Sequence, residues 1–118
     1  MRCIEKTLYT HGRIVTMDAA GTVAEAVLVA GNVIEAVGSK DGLAALAGPG
    51  CRTVDLKGAS LYPGFIDTHV HVESTMIIPE NLSRAILPWG TTTICTDPHE
   101  IGNVMGVEGV EFMLDNAK

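Results

Sequence analysis

The segment Pro63-Gly64-Phe65-Ile66-Asp67-Thr68-His69-Val70-His71-Val72-Glu73 opens on a turn and continues as a strand with ionisable side chains at every second position. In an extended strand successive side chains alternate between faces, so Asp67, His69, His71 and Glu73 share one side if the strand runs that far. Four such groups on one face are costly to bury without hydrogen-bond partners or counter-charges. A divalent cation supplies the compensation. Two imidazoles at i and i+2 can converge on one ion, at about 2.0–2.1 Å per Zn–N bond, with carboxylates on the same face orienting them. His69 and His71 are therefore the candidate metal ligands, and Asp67 and Glu73 the candidate orienting groups. Taken alone, a His-x-His pair is equally compatible with the surface of an edge strand.

Downstream, Pro79 suits the first position of a helix over residues 79–87, which Pro88 and Gly90 end. Thr91-Thr92-Thr93-Ile94-Cys95-Thr96 then reads as a β-branched strand. Strand alternating with helix is the βα pattern of a parallel sheet. The second strand ends in another ionisable cluster, Asp97-Pro98-His99-Glu100. In a parallel barrel the C-terminal strand ends face the active site, so both clusters would meet at one rim, and this context favours ligands over surface residues. Asp97, His99 and Glu100 are the candidate functional residues of this cluster, His99 and Glu100 for catalysis. Asp before Pro also suits a turn, and Glu near a helix start suits the helix dipole. Val104, Met105, Phe112 and Met113 predict a further helix from about Ile101, weakened by Gly102, Gly106 and Gly109. Trp89 reads as a packing residue.

Upstream, the first sixty residues read as β-structure. Residues 8–10 and 13–17 flank His11-Gly12, a tight turn. Residues 26–30 and 33–37 are separated only by Gly31-Asn32, a connection typical of primed hairpin turns. Residues 41–46 predict a short helix stopped by Gly48-Pro49-Gly50, followed by a strand at 52–56 and a turn at Lys57-Gly58. The division is a small β-rich segment, residues 1–60, and a βα segment, residues 61–118. Of 118 residues 47% are hydrophobic, enough for a core. Eight Lys and Arg stand against fourteen Asp and Glu, with no basic cluster, which argues against nucleic acid or an anionic membrane as partner. The N-terminus lacks the apolar core of a signal peptide, and no apolar run approaches the ~20 residues that span a bilayer, so a cytoplasmic location is expected. Cys3, Cys51 and Cys95 are odd in number and dispersed, which fits reduced, structural thiols.

The run Pro63 to His71 resembles the Pro-Gly-Phe-Ile-Asp-x-His-x-His signature of the amidohydrolase superfamily, which includes dihydroorotases, hydantoinases, deacetylases and deaminases. Val72 to Met76, Ala85 to Thr93 and Asp97 to Val104 are similar to the adenine deaminase family within it, and the likeness is close over residues 61–118. The resemblance implies a small β-domain followed by the first two βα units of an incomplete TIM-type barrel. It further implies that His69 and His71 bind one ion of a two-metal centre of Mn, Fe or Zn, with the other ligands on later strands. The implied reaction is hydrolytic deamination of adenine to hypoxanthine and ammonia, in an enzyme expected to be a homo-oligomer. Gly12 to Asp18 and Leu46 to Gly50 look more like amidohydrolases in general, so a cyclic-amide or N-acyl hydrolase stays open, as does a non-catalytic metal-binding or assembly module. A closed barrel needs about 250 residues. The chain is accordingly expected to be an N-terminal piece, inactive alone, whose open strand edges pair with other copies or with sequence beyond it.

Overall fold

A computed structural model describes residues 4–118, so Cys3 and the first residues of the N-terminal segment lie outside the described residues. The architecture is mixed α/β and divides into two compact units, Met1–Pro63 and Gly64–Lys118.

In the first unit, β1 (Lys6–Thr10), β4 (Ala26–Ala30), β5 (Val33–Gly38) and β6 (Arg52–Asp55) form a four-stranded sheet in the order β5-β4-β1-β6. β1 runs antiparallel to β4 and parallel to β6. A smaller sheet, β3-β2-β7, is built from β2 (Arg13–Val15), β3 (Val23–Ala24) and β7 (Ser60–Leu61). The expected hairpin of β4 with β5 is present. Its positive φ falls on Gly31 (60°), the first of the two connecting residues, as a type II′ turn requires. The turn expected at His11-Gly12 has a different role, because β1 and β2 do not pair with each other and enter separate sheets. His11 takes a left-handed backbone, φ 55°, to make this corner. Gly12 leaves room for Leu56, whose Cβ would lie 2.7 Å from a Cβ added at position 12. Helix α1 (Lys40–Ala47) begins where Ser39 accepts a hydrogen bond from the Gly42 N–H at 3.3 Å, and it stops at Gly48, φ 75°. Its Leu43 packs on Leu8, Ala26 and Leu28 of the larger sheet, with Ala36, Ala47 and Cys51 around them.

The loop between β2 and β3 carries a pH-dependent element. Asp18 accepts hydrogen bonds from the Thr22 N–H at 2.8 Å and the Thr22 hydroxyl at 2.7 Å. Chiefly through these bonds its carboxyl is held below its ordinary value of 3.8. A depressed folded-state pKa adds stability above the unfolded value and loses it as pH falls through the folded value. Protection of the Thr22 amide from hydrogen exchange is therefore expected to be constant near neutrality and to fall below pH 3.8. Asp18→Asn should abolish that dependence, and unchanged protection in acid would contradict the assignment.

The second unit contains β8 (Phe65–Val70), a 3₁₀ turn (Glu73–Thr75), α2 (Pro79–Ile86), a second 3₁₀ turn (Leu87–Trp89), β9 (Thr91–Thr96), α3 (His99–Met105) and α4 (Val107–Asp115). β8 and β9 are parallel. Three expectations change here. The strand ends at Val70, so alternation aligns Asp67 with His69 only, and His71 and Glu73 lie beyond it. The chain turns because Val72 adopts helical angles, φ −61° and ψ −39°, and enters a core with Leu82 and Met113. The helix expected from Ile101 starts at His99 and is two helices, broken by Gly106 at φ 66°. Trp89, read as a packing residue, is 84% exposed in the 3₁₀ turn after α2, where no described side chain covers it. Among the described residues no helix is long and apolar enough to cross a membrane.

Candidate metal centre

Parallel pairing decides which residues meet. Val70 of β8 is the last residue in register, opposite Thr96 of β9, so the next residues of both strands emerge at the same end. On one side these are His71 and the 3₁₀ turn, and on the other Asp97 and the start of α3. The His71 ring stands edge-on to two other imidazoles, with centroids 4.7 Å from His69 and 4.8 Å from His99. Asp97 reaches between two of them. Its Oδ1 lies 3.0 Å from His71 Nδ1 and its Oδ2 lies 3.4 Å from His99 Nδ1.

Two hydrogen bonds brace the loops against each other. The Ser74 hydroxyl donates to Glu100 Oε1 at 2.7 Å, and the Ile101 N–H donates to Glu73 Oε1 at 3.3 Å. The second is a cap of α3, since the Ile101 amide belongs to the first turn, where N–H groups have no partner within the helix. Thr75 performs local turn chemistry, its hydroxyl donating to the Val72 carbonyl at 2.6 Å.

Possible ligand atoms of His71, His99 and Glu100 all lie within 4.8 Å of one another. His69 stands beside His71 but outside this trio. Asp67 is turned to its own strand, where it accepts the His69 N–H at 3.1 Å. Of the residues singled out in the sequence, the structure thus gathers His71, Asp97, His99, Glu100 and Glu73. It leaves His69 at the margin and Asp67 apart. Ser74 was missed, and its only signal was its place next to Glu73.

Two features of the site fit a cation. His71 Nδ1 is buried without a well-aligned hydrogen bond, because the 3.0 Å approach of Asp97 has ion-pair distance but not hydrogen-bond direction. Glu73 Oε2 is buried without a partner as well. Buried polar atoms without partners are uncommon and call for an explanation such as an ion. Two imidazoles and a carboxylate are also a donor set suited to Zn, Mn or Fe. For Asp97, burial opposes ionisation. The charges of His71 and His99 and the His99 hydrogen bond outweigh it and hold the carboxyl below the ordinary carboxylate value. An ionised Asp97 places its negative charge beside both Nδ1 atoms, at 3.0 and 3.4 Å.

A cleft of about 270 Å³ lies elsewhere in this unit, lined by α2, the first residues of β9 and Asn116–Lys118. No histidine borders it, and its lining carries little chemistry. The histidine rim is the better candidate on both counts.

Comparison with known proteins bears on the family of the chain. The amidohydrolase family matches residues 60–118. An adenine deaminase from Bacillus velezensis is 38% identical over 112 residues, covering 95% of this chain and 18% of that protein. An adenine deaminase from Listeria monocytogenes is 58% identical over 67 residues, covering 57% of this chain and 12% of that protein. The crystal structure of enamidase, described as a member of the amidohydrolase superfamily, superposes with a TM-score of 0.62. It is 29% identical and is matched over 78% of this chain and 25% of its own. The chain thus spans less than a fifth of the length of these curated relatives.

Proposed function

The chain belongs to the amidohydrolase family, and we propose that it forms the metal-binding front of an enzyme that hydrolyses a C–N bond, with adenine as substrate and hypoxanthine and ammonia as products. The observation that carries this reading is the meeting of His71, Asp97, His99 and Glu100 at one end of a parallel strand pair. The choice of adenine rests on the relatives, which are adenine deaminases. In this reading unit two supplies the first two βα units of a TIM-type barrel, residues 61–118, after a β-rich segment, residues 1–60. In support, Phe65 and Ile66 of β8 are more than half exposed, whereas parallel strands are ordinarily covered on both faces.

His71, His99 and Glu100 would hold a Mn, Fe or Zn ion, with His69 adjacent for a second. When bound, such an ion polarises the substrate and makes water acidic enough to lose a proton near neutral pH. The chain's own residues orient the site. Asp97 fixes the His71 and His99 rings, Ser74 holds Glu100, and Glu73 anchors the first turn of α3. The completed enzyme would be a cytoplasmic homo-oligomer, with a purine base as ligand.

A second reading, hydrolysis of a cyclic or acyl amide, is favoured by the likeness to enamidase. Grafting decides between them. Residues 1–118 take the place of the matching segment of the Bacillus velezensis adenine deaminase, and consumption of adenine, hydantoins and acyl amines is followed by liquid chromatography. Turnover of adenine alone is expected. A chimera that folds and binds metal yet prefers a hydantoin or an acyl amine would overturn the choice of substrate. The 118-residue chain by itself is expected to release no ammonia from adenine, and robust turnover would show that it needs no further strands.

A further inference from the structure

One other cluster of titratable side chains, in the first unit, joins three elements around His11. At the corner between β1 and β2, His11 Nε2 lies 2.9 Å from the Nζ of Lys40, the first residue of α1. On its other side His11 Nδ1 lies 3.2 Å from Asp55 Oδ2, at the end of β6. The Asp55 carboxyl is held below its ordinary value, first by the hydrogen bond from the Lys57 N–H and then by His11, so it is a carboxylate at neutral pH. A carboxylate at Nδ1 selects the tautomer that carries hydrogen there and leaves a lone pair on Nε2. That lone pair faces the Lys40 amino group.

Carboxylate, imidazole and amine in this order form the arrangement in which a base within hydrogen-bond reach activates a nucleophile and a third group orients the base. The placement is constrained. His11 keeps a left-handed backbone, which His tolerates better than most residues, and contacts on both ring nitrogens hold it there. The Lys40 N–H donates to Glu25 Oε2 at 3.1 Å, which ties down the first residue of the helix. His11 and Lys40 border an open cleft of about 430 Å³, and Arg13, a cation suited to an anionic leaving group, lines it too.

We propose that Lys40 is a site of covalent acylation that takes its acyl group from an acyl phosphate. The Lys40 ammonium first passes a proton to His11 Nε2. The neutral amine then attacks the carbonyl carbon, a C–N bond forms, and the C–O bond to phosphorus-bound oxygen breaks. Inorganic phosphate leaves with the bonding electron pair and takes up one of the two protons released from nitrogen, while the other reaches solvent through His11. No electrons are exchanged with an outside donor. Acylation removes the charge of Lys40.

The other described lysines serve as internal standards. Lys6 is paired with Glu35 at 2.9 Å and Lys118 with Asp115 at 2.6 Å, whereas Lys57 has no ion pair among the described residues. The full chain is incubated with acetyl phosphate, and each lysine is followed by mass spectrometry. Lys40 is expected to react at least about fivefold faster than Lys57, less than a positioned base contributes in a closed site because this cleft is open to water. His11→Asn, which keeps a residue tolerant of the left-handed backbone, should bring Lys40 down to the Lys57 rate. Asp55→Asn should give an intermediate loss. Equal rates at Lys40 and Lys57 in the parent chain would overturn the proposal, and so would a ratio unchanged by His11→Asn. Far-UV circular dichroism of each variant separates a fall in the Lys40 rate caused by the lost imidazole from one caused by lost fold.

Discussion

Replacing His71 with alanine is expected to weaken the binding of Mn²⁺ or Zn²⁺ to the chain by at least about 100-fold, more than the 10–100-fold that loss of an orienting partner costs. His71 stands at the centre of the rim, with one imidazole on either side and Asp97 at its Nδ1. Isothermal titration with each metal measures the effect. His99→Ala and His69→Ala make the test sharper, because they separate two ligand sets. If the ion sits among His71, His99 and Glu100, His99→Ala costs nearly as much as His71→Ala and His69→Ala costs less. If the ion is held by the His-x-His pair that strand spacing suggests, the order reverses. Asp97→Asn keeps the shape of the side chain but removes the charge that orients two rings, and a loss of 10–100-fold is expected. Affinity unaffected by His71→Ala would remove the site altogether.

The two ligand sets draw on different information, strand spacing for one and the meeting of two strand ends for the other. Features fixed by neighbours in the chain were legible: the Gly31-Asn32 hairpin, the start of α2 at Pro79 and the β-branched run of β9. The convergence of the two polar clusters was legible too, since it follows from parallel strands and the shared direction of their ends. What escaped depends on residues distant in sequence. Val72 turns the chain away after Val70 because Leu82 and Met113 offer it a core, and this takes His71 and Glu73 out of strand alternation. β1 and β2 look like arms of one hairpin, yet their partners are β4 with β6 and β3 with β7, pairings that no local pattern specifies. Glu100 was balanced between helix dipole and chemistry. The Ser74 hydroxyl on its Oε1 gives it a fixed place at the rim that α3 alone would not.

Gly64→Ala is expected to destabilise the chain by about 1–3 kcal/mol, the cost of extra volume that forces side chain or backbone to shift. The reason is space, because Gly64 is not among the glycines with positive φ. A Cβ at position 64 would lie 2.7 Å from Thr92 Cβ and closer still to its Oγ1 and Cγ2, a crowding that real side chains do not show. Thr92 is held there by the ladder. Phe65 pairs with Thr91 and Ile66 with Thr93, so Thr92 is the extra residue of an irregularity in β9, set against the glycine. The glycine of the Pro-Gly-Phe-Ile-Asp run thus allows the two strands to approach where the pair begins. A double-mutant cycle tests this by urea unfolding of the full chain. The cost of Gly64→Ala should fall below about 1 kcal/mol when Thr92 is also replaced by glycine, which removes all three crowding atoms. An equal cost in both backgrounds would rule out steric contact as the cause. The cycle should reappear in metal affinity, because His71 and His99 meet only if β8 and β9 end together. Strands wedged apart at Gly64 shift one rim residue against the other, so Gly64→Ala is expected to weaken metal binding and Thr92→Gly to restore it, although neither residue touches the site.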